Sequence, residues 1–304
     1  MAVYNPSAPQ LTRFIDPAVL TRISSLELVA RTVVEGFISG LHRSPYLGFS
    51  VNFAEYRQYR PGDDIRRIDW KVYGRLDRFF VKEYEGETNT GVQIILDCSH
   101  SMAYGSRGIQ KLEYGQFLAA SLGYFAFKQR DGVGFVSFDD EMRDYIPPRG
   151  SVGHLNTVLH AIERTRAGEK TDFHKPLVGV AERLRRRGIV VVISDLYDEN
   201  RNVMQGLRQL ALRGNDVVVF QVLDPSEIQF DFADSAQFVD LETRAEMHVI
   251  PDFLREEYRK VLKEQIQYFE KECAKDRIDY ALLDTSQPLD HALSTYLLRR
   301  EHLY

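Results

Sequence analysis

Hydrophobic positions along the chain follow two patterns, which alternate from about residue 91 to the end. Short apolar runs, such as residues 92–96 and 189–193, are typical of parallel strands that are buried on both faces. Between these runs, apolar residues recur at the three- and four-residue spacing of helices that bury one side. This alternation predicts a doubly wound, mostly parallel α/β sheet that is covered by helices on both faces, with right-handed crossovers.

The pattern also predicts where these elements lie. The predicted strands are at 92–96, 133–138, 143–146, 189–193, 216–223 and 278–283, and the predicted helices are at about 109–129, 152–165, 174–187, 200–213, 251–275 and 288–300. The segment 143–146 is expected to pair with 133–138 through a short turn and to form one antiparallel edge strand. Gly188 is expected to end the helix at 187 as a C-terminal cap.

Residues 1–88 follow a different pattern and are predicted to form a small N-terminal α+β module, ahead of the α/β domain at 89–304. Pro17 suits the first turn of a helix that should end near Gly40. Apolar residues recur at helical spacing between these two positions. Alternating residues at 49–53 and the segment 78–84 predict two short strands, with a charged, aromatic run at 56–71 between them.

The run at 56–71 carries charges of both signs and the chain's one tryptophan, Trp70. We expect Trp70 to be buried between the two modules, beside a network of ion pairs formed by Arg60, Asp63, Asp64, Arg67 and Asp69. The run would then dock the N-terminal module on the α/β domain. The alternative is a face that binds a partner protein, and the two roles are compatible.

Composition limits the classes of function. A hydrophobic fraction of 44% in 304 residues is enough to bury one large core. The net charge of −5 argues against non-specific binding to nucleic acid or to an anionic membrane. No stretch approaches about 18 uninterrupted apolar residues and the N-terminus lacks a signal-peptide core, so we expect no membrane span and a cytoplasmic location. Cys98 and Cys273 are expected to be free thiols in a reducing compartment.

Oxygen-bearing side chains follow the two most apolar strands. Asp97 ends the first strand and opens a D-x-S-x-S loop, in which alternation points Asp97, Ser99 and Ser101 to one side. Asp195 follows the strand at 189–193 at the same predicted edge, where an open α/β sheet binds its ligands. Thr171, in a turn before a helix, offers a third hydroxyl. Such an all-oxygen set favours a divalent metal, Mg²⁺ first and Mn²⁺ second.

These residues, in this order and at these separations, resemble the metal-ion-dependent adhesion site of von Willebrand factor A domains. The segments Y-R-P-G-D-D at 59–64 and R-I-D-W-K at 67–71 resemble the hallmark of a bacterial subfamily known as domain of unknown function 58. The resemblance covers roughly residues 20–290 and implies a von Willebrand factor A-like fold.

The resemblance also implies roles for the site. The three hydroxyls would touch the metal directly, and the two aspartates would act directly or through water. One coordination position would stay open for a glutamate or aspartate of a partner protein. Proteins similar to this one often sit beside MoxR-type AAA+ ATPases. The implied function is therefore a metal-dependent protein-binding adaptor that works with such an ATPase to assemble or activate other proteins, and not an enzyme.

Alternatives remain open at this point. Asp97 could accept a phosphoryl group in a magnesium-dependent phosphate hydrolase, although Ser99 stands where such enzymes carry a second acid. Ser99 and Ser101 could merely cap the following turn, with Asp195 at a helix N-terminus. Asp172 is a weaker candidate ligand, for which capping of the helix at 174 is the alternative.

Overall fold

The structure, a computed structural model, describes residues 17–21, 25–41, 55–58, 80–83, 90–168, 172–184, 186–230, 236–239, 246–249, 251–290 and 292–294. Thr171, the predicted strand at 49–53, the ion-pair network around Trp70 and the end of the helix predicted at 288–300 lie outside these residues. Within the described residues, no helix is long and apolar enough to cross a membrane.

The elements, in chain order, are α1 (Pro17–Leu20), α2 (Leu26–Leu41), β1 (Glu55–Gln58), β2 (Phe80–Glu83), β3 (Gly91–Asp97), a 3-10 turn (His100–Ala103), α3 (Lys111–Lys128), β4 (Gly132–Phe138), β5 (Met142–Arg149), α4 (Val152–Arg164), α5 (His174–Arg183), β6 (Gly188–Ser194), α6 (Asn200–Leu212), β7 (Asp216–Leu223), α7 (Pro225–Gln229), β8 (Ala236–Val239), β9 (Glu246–Val249), α8 (Pro251–Lys275) and β10 (Asp279–Asp284). Two antiparallel pairs, β1 with β2 and β8 with β9, stand outside the main sheet. The pair β8–β9 was not predicted.

Six strands form the main sheet in the order β10-β7-β6-β3-β4-β5. Every neighbouring pair is parallel except β4 with β5, which forms the antiparallel edge. The order of the strands reverses between β3 and β6, the place where doubly wound sheets bind ligands. The predicted fold class is therefore confirmed, including its antiparallel edge strand.

The central strands of the sheet are buried on both faces. On one face, Val190 and Val192 of β6 belong to an apolar cluster with Leu177 of α5, Leu207 of α6 and Phe269 of α8. On the other face α3 lies so close to the sheet that a Cβ added at Gly115 would be 2.9 Å from Leu96 Cδ1. Each fully buried aliphatic or aromatic side chain contributes about 1.5–3 kcal/mol to stability. Burial on both faces explains why the central strands are continuous apolar runs.

The described chain divides into two compact units, Met1–Phe37 with Thr90–Tyr304, and Ile38–Asn89. Most of α2 belongs to the first unit because its apolar side is packed: Val29 and Val34 are fully buried. Phe37 also meets Phe125 of α3 edge-on, with ring centroids 6.3 Å apart. This grouping differs from the predicted module at 1–88, and that domain boundary stays a prediction.

Two local predictions are wrong. The helix predicted from Pro17 to Gly40 is broken: α1 ends at Leu20 and α2 begins at Leu26. Ser25 ends the break because its carbonyl accepts the amide of Val29, at 3.0 Å, and serine favours the start of a helix over its interior.

Gly188 is not a helix cap. The helix α5 ends at Arg183, and Gly188 is the first residue of β6. A Cβ at Gly188 would lie 2.2 Å from the carbonyl oxygen of Gly91, at the start of the neighbouring strand β3. Close approach of two backbones, rather than a left-handed conformation, therefore requires glycine at this position.

Candidate metal centre

The carboxyl ends of β3 and β6 bring the predicted ligands to one edge of the sheet. Asp97 is the last residue of β3, and Asp195 directly follows β6, its parallel neighbour. The side chains of Asp97, Ser99 and Asp195 are fully buried, whereas Ser101 is partly exposed. Of the four predicted ligands that the structure describes, Ser101 is thus the one that faces solvent.

The D-x-S-x-S loop folds so that its polar groups converge. The backbone amide of Ser99 donates to Asp97 Oδ1, at 2.8 Å, and the hydroxyl of Ser194 donates to Asp97 Oδ2, at 2.5 Å. The hydroxyl oxygens of Ser99 and Ser101 lie 3.0 Å apart. The alternation expected from the sequence is therefore present. The third hydroxyl, that of Thr171, lies outside the described residues.

The two other side chains of this loop turn away from the convergence point. Cys98 Sγ donates to the carbonyl oxygen of Phe138, at 3.1 Å, and His100 Nδ1 lies 3.0 Å from the carbonyl oxygen of Gly168. The amide of Gly168 donates back to the carbonyl of Cys98, at 2.6 Å. A Cβ at Gly168 would lie 2.0 Å from Asp139 Oδ2. Gly168 is therefore fixed directly against the D-x-S-x-S loop.

The electrostatics of the site favour a cation. Burial, with the negative charge of Asp195, raises the pKa of Asp97 from 3.8 to about 7. Among the described residues, no group of three or more His, Cys, Asp or Glu side chains could hold a metal. A metal here would thus depend on hydroxyls as well as carboxylates, which suits Mg²⁺ and Mn²⁺ better than a transition metal that prefers nitrogen or sulfur.

Asp172 fills the capping role that the sequence left open. Its Oδ1 accepts the amide of Lys175 in the first turn of α5, at 3.1 Å. No contact between Asp172 and the D-x-S-x-S loop is recorded among the described residues. Both cysteines, Cys98 and Cys273, are free, as expected, and both are buried.

A buried lysine at this edge was missed by the sequence analysis. Lys111, the first residue of α3, is fully buried, and its Nζ lies 2.8 Å from Asp195 Oδ2 and 2.7 Å from Glu227 Oε1. The ammonium also lies 4.7 Å from the ring centroid of Tyr197. Burial alone would lower the pKa of Lys111, but the two carboxylates raise it above its ordinary value. The signal in the sequence is weak: a cation at a helix N-terminus, where the helix dipole disfavours it.

A further buried carboxylate, that of Asp224, joins two loops at the same edge. Asp224, which follows β7 and caps α7, accepts the amide and hydroxyl of Ser106 at 2.8 and 2.5 Å. It also accepts the amide and hydroxyl of Ser226 at 2.8 and 2.6 Å. Burial alone would raise the pKa of Asp224, but these hydrogen bonds hold it below its ordinary value. The segment after the 3-10 turn is therefore tied to the start of α7.

The profile of the family described as "Protein of unknown function DUF58" matches residues 55–268 of this chain. The chain is a DUF58 protein. The DUF58 chain is 27% identical over 231 residues to an uncharacterized protein of Mycobacterium tuberculosis, a match that covers 75% of this chain and 72% of the relative. The family predicted from the sequence is therefore confirmed.

Two solved structures are similar to this DUF58 protein. One is a conserved hypothetical protein BatB from Bacteroides thetaiotaomicron, at 18% identity and a TM-score of 0.47, over 69% of this chain and 98% of that one. The other is an aerotolerance-related membrane protein from Bacteroides fragilis, at 18% identity and a TM-score of 0.47, over 68% and 98%. The mostly parallel, six-stranded sheet of the DUF58 protein, with its one antiparallel edge, matches the predicted von Willebrand factor A-like fold.

Proposed function

We propose that this DUF58 protein binds other proteins through a divalent cation, Mg²⁺ or else Mn²⁺, held at the carboxyl ends of β3 and β6. The observation that carries the proposal is the convergence of the Ser99 and Ser101 hydroxyls, 3.0 Å apart, beside the buried carboxylates of Asp97 and Asp195. Thr171 completes the proposed ligand set.

The residues present fit such a cation. Burial, together with the nearby Asp195, raises the pKa of Asp97, and a divalent cation at this carboxylate would offset its negative charge. Hydroxyl and carboxylate oxygens are the ligands that Mg²⁺ prefers. The cation, when bound, would supply an open coordination position for a glutamate or aspartate of the partner. The partly exposed Ser101 marks the side from which that carboxylate would approach.

A binding role is favoured over the alternative of a magnesium-dependent phosphate hydrolase. A phosphoryl acceptor needs an oxygen that substrate can reach. Asp97 is fully buried, and both its oxygens accept hydrogen bonds, from the Ser99 amide and the Ser194 hydroxyl. Ser99 also stands where a second acid would be required, and it is buried too. The burial of Asp97 and these contacts support a binding role over attack on phosphorus.

The proposed partner is a MoxR-type AAA+ ATPase, and the proposed role is the assembly or activation of other proteins in the cytoplasm. Membership of the DUF58 family supports this part of the proposal. The charged run at 56–71, within the part of the chain that the family profile matches, is a second candidate for a partner-binding surface.

Calorimetry with Mg²⁺ and with Mn²⁺ tests the proposed metal site. Asp97→Asn and Ser101→Ala should each weaken binding at least tenfold, because each removes one proposed ligand. Ser286→Ala, in an exposed turn after β10, is the matched control and should bind the metal as the wild type does. Equal affinity in the wild type and in Asp97→Asn would refute the site.

A pull-down with the candidate ATPase, with and without chelator, tests the proposed partner. The complex should form with Mg²⁺ and be lost both in chelator and in Asp97→Asn. Metal-dependent turnover of a phosphate ester that disappears in Asp97→Asn would instead support the hydrolase.

A further inference from the structure

Lys111 is a fully buried lysine in the candidate site, a position where a charged side chain is unusual. It is fully buried at the first position of α3, and its two carboxylate partners come from the ends of two other strands: Asp195 after β6 and Glu227 in α7, after β7. Burying an ammonium is costly, and the dipole of α3 adds a penalty at this end of the helix. An apolar side chain could fill the same space. The lysine therefore calls for a role beyond packing.

The hydrogen bonds of the two candidate aspartates differ in one respect. Among the described residues, the donors to Asp97 are neutral groups, including the Ser99 amide and the Ser194 hydroxyl. Asp195 accepts from the neutral amide of Tyr197 through Oδ1, at 3.2 Å, but its Oδ2 accepts from the ammonium of Lys111. A neutral donor leaves the charge of a carboxylate in place, whereas an ammonium neutralises it and repels a second cation. Asp195 Oδ2 therefore already contacts a cation, whereas neither hydrogen-bond donor to Asp97 carries a charge that would compete with a metal.

We propose, resting on the proposed metal-binding function, that Lys111 holds Asp195 out of direct coordination and thereby sets how strongly the metal attracts a partner. With Asp97 as the one carboxylate ligand, the bound cation retains net positive charge. That charge makes the site selective for an acidic side chain in the open position. The contact of Lys111 with Glu227 keeps the ammonium in place, because Glu227 also accepts the backbone amide of Asp224, at 2.8 Å.

A charge-matched double variant separates this role from a general electrostatic effect. Lys111→Met combined with Glu227→Gln removes one positive and one negative charge, so the net charge of the cluster stays that of the wild type. Asp195 loses its ammonium partner in this variant and becomes free to bind the metal. A glutamine side chain can still accept the Asp224 amide, as in a capping box, and a methionine fills the volume of the lysine stem. The variant should therefore fold.

The expected result is that the double variant binds Mn²⁺ at least tenfold more tightly than the wild type, by calorimetry. The gain should disappear when Asp195→Asn is added to the double variant. Electron paramagnetic resonance of bound Mn²⁺ should also detect one water fewer on the metal in the double variant. A purely structural lysine would produce neither the gain nor the lost water.

The outcomes separate this inference from the proposed function. If the wild type binds Mn²⁺ and Asp97→Asn abolishes binding, the metal site stands. Equal or weaker binding in the double variant would then overturn the role of Lys111 alone. Tighter binding that persists after Asp195→Asn would overturn it as well, because the gain would not pass through Asp195. If neither the wild type nor the double variant binds Mn²⁺, both proposals fail.

Discussion

Asp97→Asn should make the metal-free protein more stable, although it destroys the proposed metal site. Asp97 is fully buried, and burial together with the charge of Asp195 raises its pKa from 3.8 to about 7. The folded protein therefore binds this proton more tightly than the unfolded chain does. The free energy of unfolding contributed by Asp97 is fully present below about pH 4 and is lost as the pH rises to about 7.

The size of the effect follows from the pKa. One pKa unit corresponds to about 1.4 kcal/mol, so ionised Asp97 costs the folded protein about 4 kcal/mol above pH 7. Asparagine carries no charge and keeps an acceptor for the Ser99 amide, but it loses the acceptor for the Ser194 hydroxyl, at a cost of about 1–2 kcal/mol. We expect a net gain of about 2–3 kcal/mol in the free energy of unfolding at about pH 8.

Urea unfolding in the presence of chelator measures this gain. At about pH 5 the difference between Asp97→Asn and the wild type should fall below half its value at about pH 8, since Asp97 is then protonated in the folded state. Glu182→Gln neutralises an exposed carboxylate of α5 and should change stability by less than about 0.5 kcal/mol. Mg²⁺ at about 100 times its Kd should stabilise the wild type by about 2.7 kcal/mol and leave Asp97→Asn unchanged. The reasoning is wrong if Asp97→Asn is no more stable than the wild type at the higher pH.

Two further predictions concern the supports of the site. Gly168→Ala would place a Cβ 2.0 Å from the buried Asp139 carboxylate, so it should lower the free energy of unfolding by about 1–3 kcal/mol and weaken metal binding. Gly153→Ala, which meets nothing within 4 Å, should be neutral or stabilise by up to about 1 kcal/mol in the same urea titration. Asp224→Ala should destabilise by about 1–3 kcal/mol in thermal unfolding, because it removes the acceptor of the amides and hydroxyls of Ser106 and Ser226. Unchanged melting of Asp224→Ala would show that these bonds contribute little.

The sequence by itself determined the sheet and much of the candidate site. Continuous apolar runs indicate strands that are buried on both faces. Apolar residues at helical spacing indicate the helices that pack on the sheet, because buried positions recur with the period of each element. That is why strand β7 and helix α8 fall at their predicted positions. The D-x-S-x-S loop could also be recognised, because its oxygens are close in sequence. Asp195 could be assigned to the same edge, since parallel strands end together.

Tertiary structure alone decided the contacts between distant residues. Lys111 forms ion pairs with Asp195 and Glu227, which are 84 and 116 residues away in sequence. A local sequence pattern cannot predict contacts between residues so far apart. Gly188 looked like a helix cap because a cap and a close backbone contact both select glycine, and only the adjacency of β3 and β6 distinguishes them. The periodicity of apolar residues indicates which side chains of a helix or strand face the core. Which buried charges face one another depends on the order and register of the strands, and these arise only when the whole sheet assembles.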